Sequence, residues 1–387
     1  MIVDTDLLNF KYIKIKTKPI SLDAEIERYK QYSLIVKKVI RIFIKHKIKP
    51  KKNTLQNNVY KIISRFIISN LSVKKIKNLQ DGLFHNYKSD ESFRNDIKSI
   101  FIINDDKCDK LVKQINICKL FNRATRAIQS TKPTNATNDY KLEMDIGDEM
   151  IEYKLVGGII QNLRIPVVVY EQLKNRYAEY CSVNKKDKFC QTNQLDNLVY
   201  ILLLRYHTIN SGAQQFGMPY SVRNKFQSIE FDFECFASTL NHYLKYYCSM
   251  FYDIEKYFMS LGPFQNIDYY RGRYMANPPY ELDLLNGLVN KILYSIENSS
   301  LKDKSLTFMF GLPDWERFNV EFDFINNVKK SKYKKYELKL PPYKYPWHNF
   351  MSPGSVVRIP SSYRMILSNE ELPLDLIHEY NLYWSAI

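Results

Sequence analysis

The stretch from Tyr274 to Val289 constrains the fold of this chain more tightly than any other. Tyr274-Met275-Ala276 is a short apolar run that can end a buried strand. Leu282-Asp283-Leu284-Leu285-Asn286-Gly287-Leu288-Val289 carries its apolar residues at helical spacing. Between the two stand Asn277-Pro278-Pro279-Tyr280. Consecutive prolines fix φ and donate no N–H, so this tetrapeptide neither extends a sheet ladder nor fits a helix interior. The pattern predicts strand, tight turn and helix in that order, the repeating unit of an α/β fold.

Such a turn at a strand's carboxyl end holds the Asn277 and Pro278 carbonyls toward the crevice above the sheet. Together with the Asn277 side-chain oxygen they can accept hydrogen bonds from an exocyclic amine such as adenine N6. That lone pair is delocalised into the ring, so methylating it is a matter of positioning and electrostatics. Tyr280 offers a flat face for a base. A Pro-rich turn with no chemistry is the alternative for the tetrapeptide taken alone.

Charge is distributed very unevenly. Residues 1–126 hold 28 Lys and Arg against 12 Asp and Glu, and so account for the whole net charge of +16. An AT-rich codon bias explains an abundance of Lys, Ile, Asn and Tyr, but it would act on both parts of the chain. A polyanion explains the asymmetry, because basic side chains displace counterions from phosphates. An acidic protein or an anionic membrane would also suit it. Lys37, Lys38 and Arg41 are the candidate phosphate contacts.

The six cysteines (108, 118, 181, 190, 235 and 248) form no CxxC pair and match no histidine spacing. No metal is therefore expected, and the thiols are expected reduced. Asp4 and Asp6 interrupt the start, and no apolar run reaches about 18 residues. A soluble intracellular protein is expected, in nucleus or cytoplasm, without a membrane partner.

The organisation predicted is a basic helical, RNA-binding domain over 1–126, a linker over 127–139, and an α/β domain over 140–387. Apolar residues at helical spacing mark helices around Leu34–Ile44, which Pro50 closes, around Val59–Leu71, and over Leu111–Arg126. Later helices are predicted over Pro166–Tyr177, Leu195–Tyr206 and Asn241–Phe251. Strands are predicted over Ile229–Glu234, Leu306–Phe310, Tyr336–Leu340 and Tyr363–Leu367.

A nucleoside cofactor in an open α/β sheet binds beyond the strand carboxyl ends, where a carboxylate can receive its donors. Glu234 stands at such an end, 43 residues before Asn277. Cys235-Phe236-Ala237-Ser238 follow it. No Gly-rich dinucleotide fingerprint is present. A plain surface acid is the competing assignment for Glu234.

The blocks RIPVVVYEQLKNRY, LLLRYHT, QFGMP, FECFASTLN, NPPY, LPDW and YRMIL occur in an order that resembles the phosphorylated-CTD-interacting factor family, from about residue 163 to 370. The resemblance implies a Rossmann-like domain using S-adenosylmethionine, and methylation of adenosine N6 in RNA beside the mRNA cap. It implies catalytic roles for Asn277, Pro278, Pro279 and Tyr280. Cofactor contacts are implied for Glu234, Phe236, Ser238 and Asn241, and substrate packing for Pro313 and Trp315. A capping aromatic is an equal alternative for Trp315, and a solvated hairpin is the plainer account of Lys329–Lys335. The family's WW module is not found, and Tyr280 stands where animal members have Phe. The AT-rich character fits a virus or extrachromosomal element. Internal RNA or DNA adenines, or a non-catalytic RNA-binding activator, are the alternative functions.

Overall fold

The computed structural model describes residues 10–13, 15–17, 20–50, 54–72, 78–79, 83–84, 87, 89–101, 103–130, 140–157, 162–209, 215–217, 231, 233–316, 322–352, 355–358, 360–373 and 377–378. The amino-terminal third is helical: α1 (Leu22–Lys45), α2 (Leu55–Ser72), α3 (Glu91–Phe101), α4 (Asp105–Ile115) and α5 (Ile117–Ser130). Ser21 caps α1 by accepting from Ala24 N–H, with Asp23 and Glu25 in the first turn. The single helix predicted over Leu111–Arg126 is two. Asn116 adopts the left-handed conformation at the end of α4, and α5 begins at the next residue. Residues 127–130, assigned above to a linker, are the last turn of α5, and 131–139 lie outside the described residues.

A three-stranded antiparallel meander (Lys141–Ile146, Met150–Val156, Leu163–Pro166) leads into α6 (Val167–Val183) and α7 (Leu195–Thr208). Cys181 and Cys190 form a disulfide at the end of α6, so the expectation that all six thiols are reduced is corrected. Sequence spacing could not show this, because the chain must first turn back after α6 to bring the two together.

The main sheet has six strands: β1 (Phe233–Glu234), β2 (Tyr246–Tyr247), β3 (Gly272–Ala276), β4 (Leu306–Pro313), β5 (Lys334–Leu340) and β6 (Ser362–Ser368). Their spatial order is β5-β6-β4-β3-β1-β2, with β2, β1, β3 and β4 mutually parallel and β6 antiparallel to both of its neighbours. The protein is therefore α/β, as the strand–turn–helix pattern predicts. Half of the segment predicted as strand Ile229–Glu234 lies outside the described residues, and its described end is β1.

The helix predicted over Asn241–Phe251 is not formed. Its middle, Tyr246–Tyr247, is β2, paired with Phe233 and Glu234. The Glu234 carboxylate accepts from the N–H groups of Tyr243 (2.8 Å) and Leu244 (3.1 Å), holding the segment extended as it enters the sheet. Tertiary bonding here overrides an amphipathic pattern rich in Tyr, a residue at home in strands.

Alternation along the strands separates two faces. Phe233, Tyr274, Phe308, Phe310 and Met365 face α8 (Leu282–Ser300) and α9 (Asp323–Lys329). Met275, Met309 and Ile366 face Leu340, Tyr345 and Trp347. A separate hydrophobic cluster runs from Ile20 to Phe258 and joins α1–α5 to the meander, α6 and α7. The helices of the basic third thus pack into one cluster with the meander, α6 and α7, while the main sheet has clusters of its own.

The candidate active site

Beyond β1 the chain runs outward to β2, then crosses back to β3 on the other side of β1. That reversal is the place where an open α/β sheet leaves a crevice at its carboxyl edge. Glu234 ends β1 and Ala276 ends β3, and Cys235 N–H donates to the Met275 carbonyl at 2.7 Å across the gap. A cleft of about 760 Å³ opens here, within the ~300–1,000 Å³ range of small-molecule sites. Asn277, Pro278, Pro279 and Tyr280 form one wall, and Phe236, Ser238 and Asn241 another.

The tetrapeptide is fixed from behind. Glu281 N–H donates to the Pro279 carbonyl at 2.9 Å, and the Glu281 carboxylate caps α8 by accepting from Leu284 N–H at 2.8 Å. Burial pushes the Glu281 carboxyl up to about 7, against the pull of the Leu284 N–H and with Asp283 adding to the rise. The Asn277 side chain, half-buried at the cleft wall, makes no hydrogen bond among the described residues. Its amide is available to a ligand.

Opposite the turn, Ser238 and Asn241 bond each other: the Asn241 Oδ1 accepts from Ser238 N–H (2.7 Å) and from Ser238 Oγ (3.1 Å). Ser238 Oγ also donates to Gln215 Oε1 at 2.7 Å. Gln215 Nε2 is buried and unpartnered among the described residues, although Gln215 lines the cleft. An orphaned buried donor of this kind is costly unless a ligand accepts from it. Phe236 lies against Phe264, ring centroids 4.9 Å apart and tilted by 31°, and both rings line the cleft.

The structure divides the remaining candidates. Glu234 is buried under the cleft, with its carboxylate on the Tyr243–Leu244 backbone, and is not part of the lining. Pro313 is the buried last residue of β4, and Trp315 packs on Phe322 and Phe324; neither lines the cleft, and Trp315 sits as a capping aromatic would. Lys37, Lys38 and Arg41 are exposed on α1 and do not reach the cleft. The basic third contributes instead through α2, whose Asn57, Lys61 and Arg65 line it. Burial, with Arg65 nearby, lowers the Lys61 pKa. The segment Lys329–Lys335 is the turn from α9 to β5 rather than a hairpin, and its Lys329, Lys332, Lys334 and Lys335 are paired with Glu316, Glu297, Glu337 and Glu371, which accounts for these cations without phosphate.

Sequence reasoning missed Gln215, Phe264 and Trp347 among the lining residues. Gln215 opens the QFGMP block, where a polar residue beside an aromatic and a glycine was the available signal. Phe264 ends a Gly-Pro-Phe run between the FECFASTLN and NPPY blocks, which was its signal; Trp347 carried none, since an isolated aromatic most often belongs to a core.

A protein-family model described as "Phosphorylated CTD interacting factor 1 WW domain" matches residues 172–351. The matched residues run from α6 past β5 into the segment before β6 and include Asn277–Tyr280. Two proteins, each named "mRNA (2'-O-methyladenosine-N(6)-)-methyltransferase", from Mus musculus and Homo sapiens, are 32% identical to this chain over 117 residues. The match spans 30% of this chain and 16% of each relative's length. The resemblance to the phosphorylated-CTD-interacting factor family, expected over about 163–370, is thereby borne out over its larger part. No helix among the described residues is long and apolar enough to cross a membrane.

Proposed function

We propose that this protein is an S-adenosylmethionine-dependent adenosine N6-methyltransferase acting on RNA, with the adenosine beside the mRNA cap as its target. The observation that carries the reading is the position of Asn277-Pro278-Pro279-Tyr280: at the end of β3, on the switch-point cleft, with the Asn277 amide unbonded. The names of the mouse and human relatives support the substrate class. The sheet supports a Rossmann-like cofactor domain, since the order of its four parallel strands reverses at the cleft.

S-adenosylmethionine supplies the sulfonium methyl group when bound. The orphaned Gln215 donor, the Ser238–Asn241 pair and the Phe236–Phe264 platform fit a nucleoside with polar groups at one end and a flat base at the other. The other wall serves the target. The Asn277 Oδ1 and the main-chain carbonyls of the turn accept the N6 hydrogens, which draws the lone pair out of conjugation. Tyr280 stacks on the adenine. Lys61, on the cleft lining, is suited to a flanking phosphate, whereas Arg65 beside it is paired with Asp96 at 2.9 Å; the exposed Lys37, Lys38 and Arg41 are suited to longer-range attraction of RNA.

The decisive experiment is mass spectrometry of nucleosides after incubation with capped and uncapped RNA beginning with adenosine. N6-methylation confined to capped RNA is expected. Equal methylation of both would move the target to internal sites, and none with either would remove the activity.

Tyr280→Phe is expected to keep most of the activity and Tyr280→Ala little, because base–aromatic stacking contributes ~1–3 kcal/mol. Steady-state rates settle it: a Phe variant as inactive as the Ala variant would give the hydroxyl a role. Glu234→Ala releases the Tyr243–Leu244 turn beside the cofactor wall. Calorimetry should then show weaker S-adenosylmethionine affinity with RNA affinity unchanged. Unaltered cofactor affinity in a protein of lowered Tm would confine Glu234 to stability.

A further inference from the structure

Asn277, Gly311 and Arg364 lie in one row across three strands. Ala276 pairs with Phe310 at the end of β3, which sets Asn277 beside Gly311, and Gly311 pairs with Arg364 on β6. The register puts all three on the sheet face of Met275, Met309 and Ile366. Gly311 has no side chain, and the gap it leaves is filled from both sides. A Cβ built there would lie 2.3 Å from Arg364 Nη1 and 3.2 Å from Asn277 Oδ1. The guanidinium therefore passes over the glycine toward the amide oxygen. Arg364 is itself buried, donates from Nη1 to the Tyr363 carbonyl at 3.0 Å, and lies over the Trp347 ring at 5.3 Å. Those contacts aim it.

We propose that Arg364, admitted by Gly311, is a positioning residue for Asn277, and that it keeps the acceptor end of the amide where the exocyclic amine must dock. This inference rests on the methyltransferase reading. The two ends of an asparagine amide are nearly equal in shape but opposite in hydrogen bonding. A cation beside one end favours oxygen there and repels the NH₂ group. The oxygen has two lone pairs, so one can face the guanidinium while the other meets an N–H from the substrate. Without the cation the amide can turn over and present a donor to a donor.

The test is a cycle of kcat measurements on RNA with Arg364→Met, Gly311→Ala and Asn277→Ala, singly and combined. Arg364→Met should lower kcat roughly 10- to 100-fold, the scale of loss for a misaimed group, while Asn277→Ala with Arg364→Met should be no slower than Asn277→Ala alone. Gly311→Ala should reproduce the Arg364→Met loss, because its new methyl occupies the guanidinium's place. S-adenosylmethionine affinity should stay within about twofold of wild type in each, since the row is on the target wall. Multiplicative losses in the double variant, or a Gly311→Ala enzyme of full activity, would overturn the proposal. If Arg364→Met fails to fold, Gly311→Ala and its combination with Asn277→Ala decide the same question. A wild-type protein that methylates no RNA defeats the parent reading instead, and the two failures are told apart by that control.

Discussion

Replacing Asn277 with alanine is expected to abolish methyl transfer while leaving the fold and cofactor affinity nearly intact. The side chain is half-buried at the cleft wall and makes no hydrogen bond among the described residues, so its removal breaks no hydrogen bond of the fold. What is lost is an acceptor needed as the amine leaves conjugation. An interaction realised mainly in the transition state appears in kcat, not in ground-state binding. By analogy with loss of an oxyanion-hole donor, the barrier should rise by ~2.7–4 kcal/mol, or about 10²–10³ in rate. Single-turnover kinetics with saturating cofactor measure it directly. A variant with wild-type kcat would take Asn277 out of the chemistry and with it the basis for assigning the turn.

The turn was legible because two prolines between a strand pattern and a helix pattern leave the backbone few choices. The sheet ends were legible for a similar reason: Leu306–Phe310 is a continuous apolar run, and the strand extends to Pro313 with every residue buried. Contacts that depend on distant partners were not legible. Glu234 reads from sequence as a strand-end acid open to ligand, yet its carboxylate is held by main-chain N–H groups nine and ten residues on. Lys37, Lys38 and Arg41 read as the basic contact because they are dense, whereas Lys61 and Arg65 reach the cleft because α2 packs beside α8. Ser69 Oγ donates to Asp283 at 3.1 Å across that junction. Charge counting places affinity in a region of the chain, and packing decides which cations face the ligand.

Arg205→Leu is expected to destabilise the whole molecule, and its effect tests whether the basic third is a separate domain. Arg205 on α7 is fully buried and donates to Glu25 of α1 at 2.6 and 2.7 Å and to Asp253 at 3.2 and 3.1 Å. Arg28 completes the group by donating to Glu25 at 2.7 Å. Burial opposes the charge on Arg205, but Asp253 and Glu25 outweigh it and hold the guanidinium protonated. Removing Arg205 leaves two buried carboxylates with Arg28 alone, a loss of the ~3–5 kcal/mol class. Against a total stability of about 5–15 kcal/mol, that is severe. Glu25 comes from the amino-terminal helices and Asp253 from between β2 and β3, so the loss should be felt on both sides at once. Urea denaturation followed by tyrosine and tryptophan signals should show one transition, moved as a unit to lower urea. By the same logic, deleting residues 1–126 would strip α1–α5 from the shared core and leave Arg205 with one acid, so the remainder is expected to aggregate rather than bind cofactor. Two separate transitions, only one of them shifted by Arg205→Leu, would instead restore the independent helical domain that the charge distribution suggested.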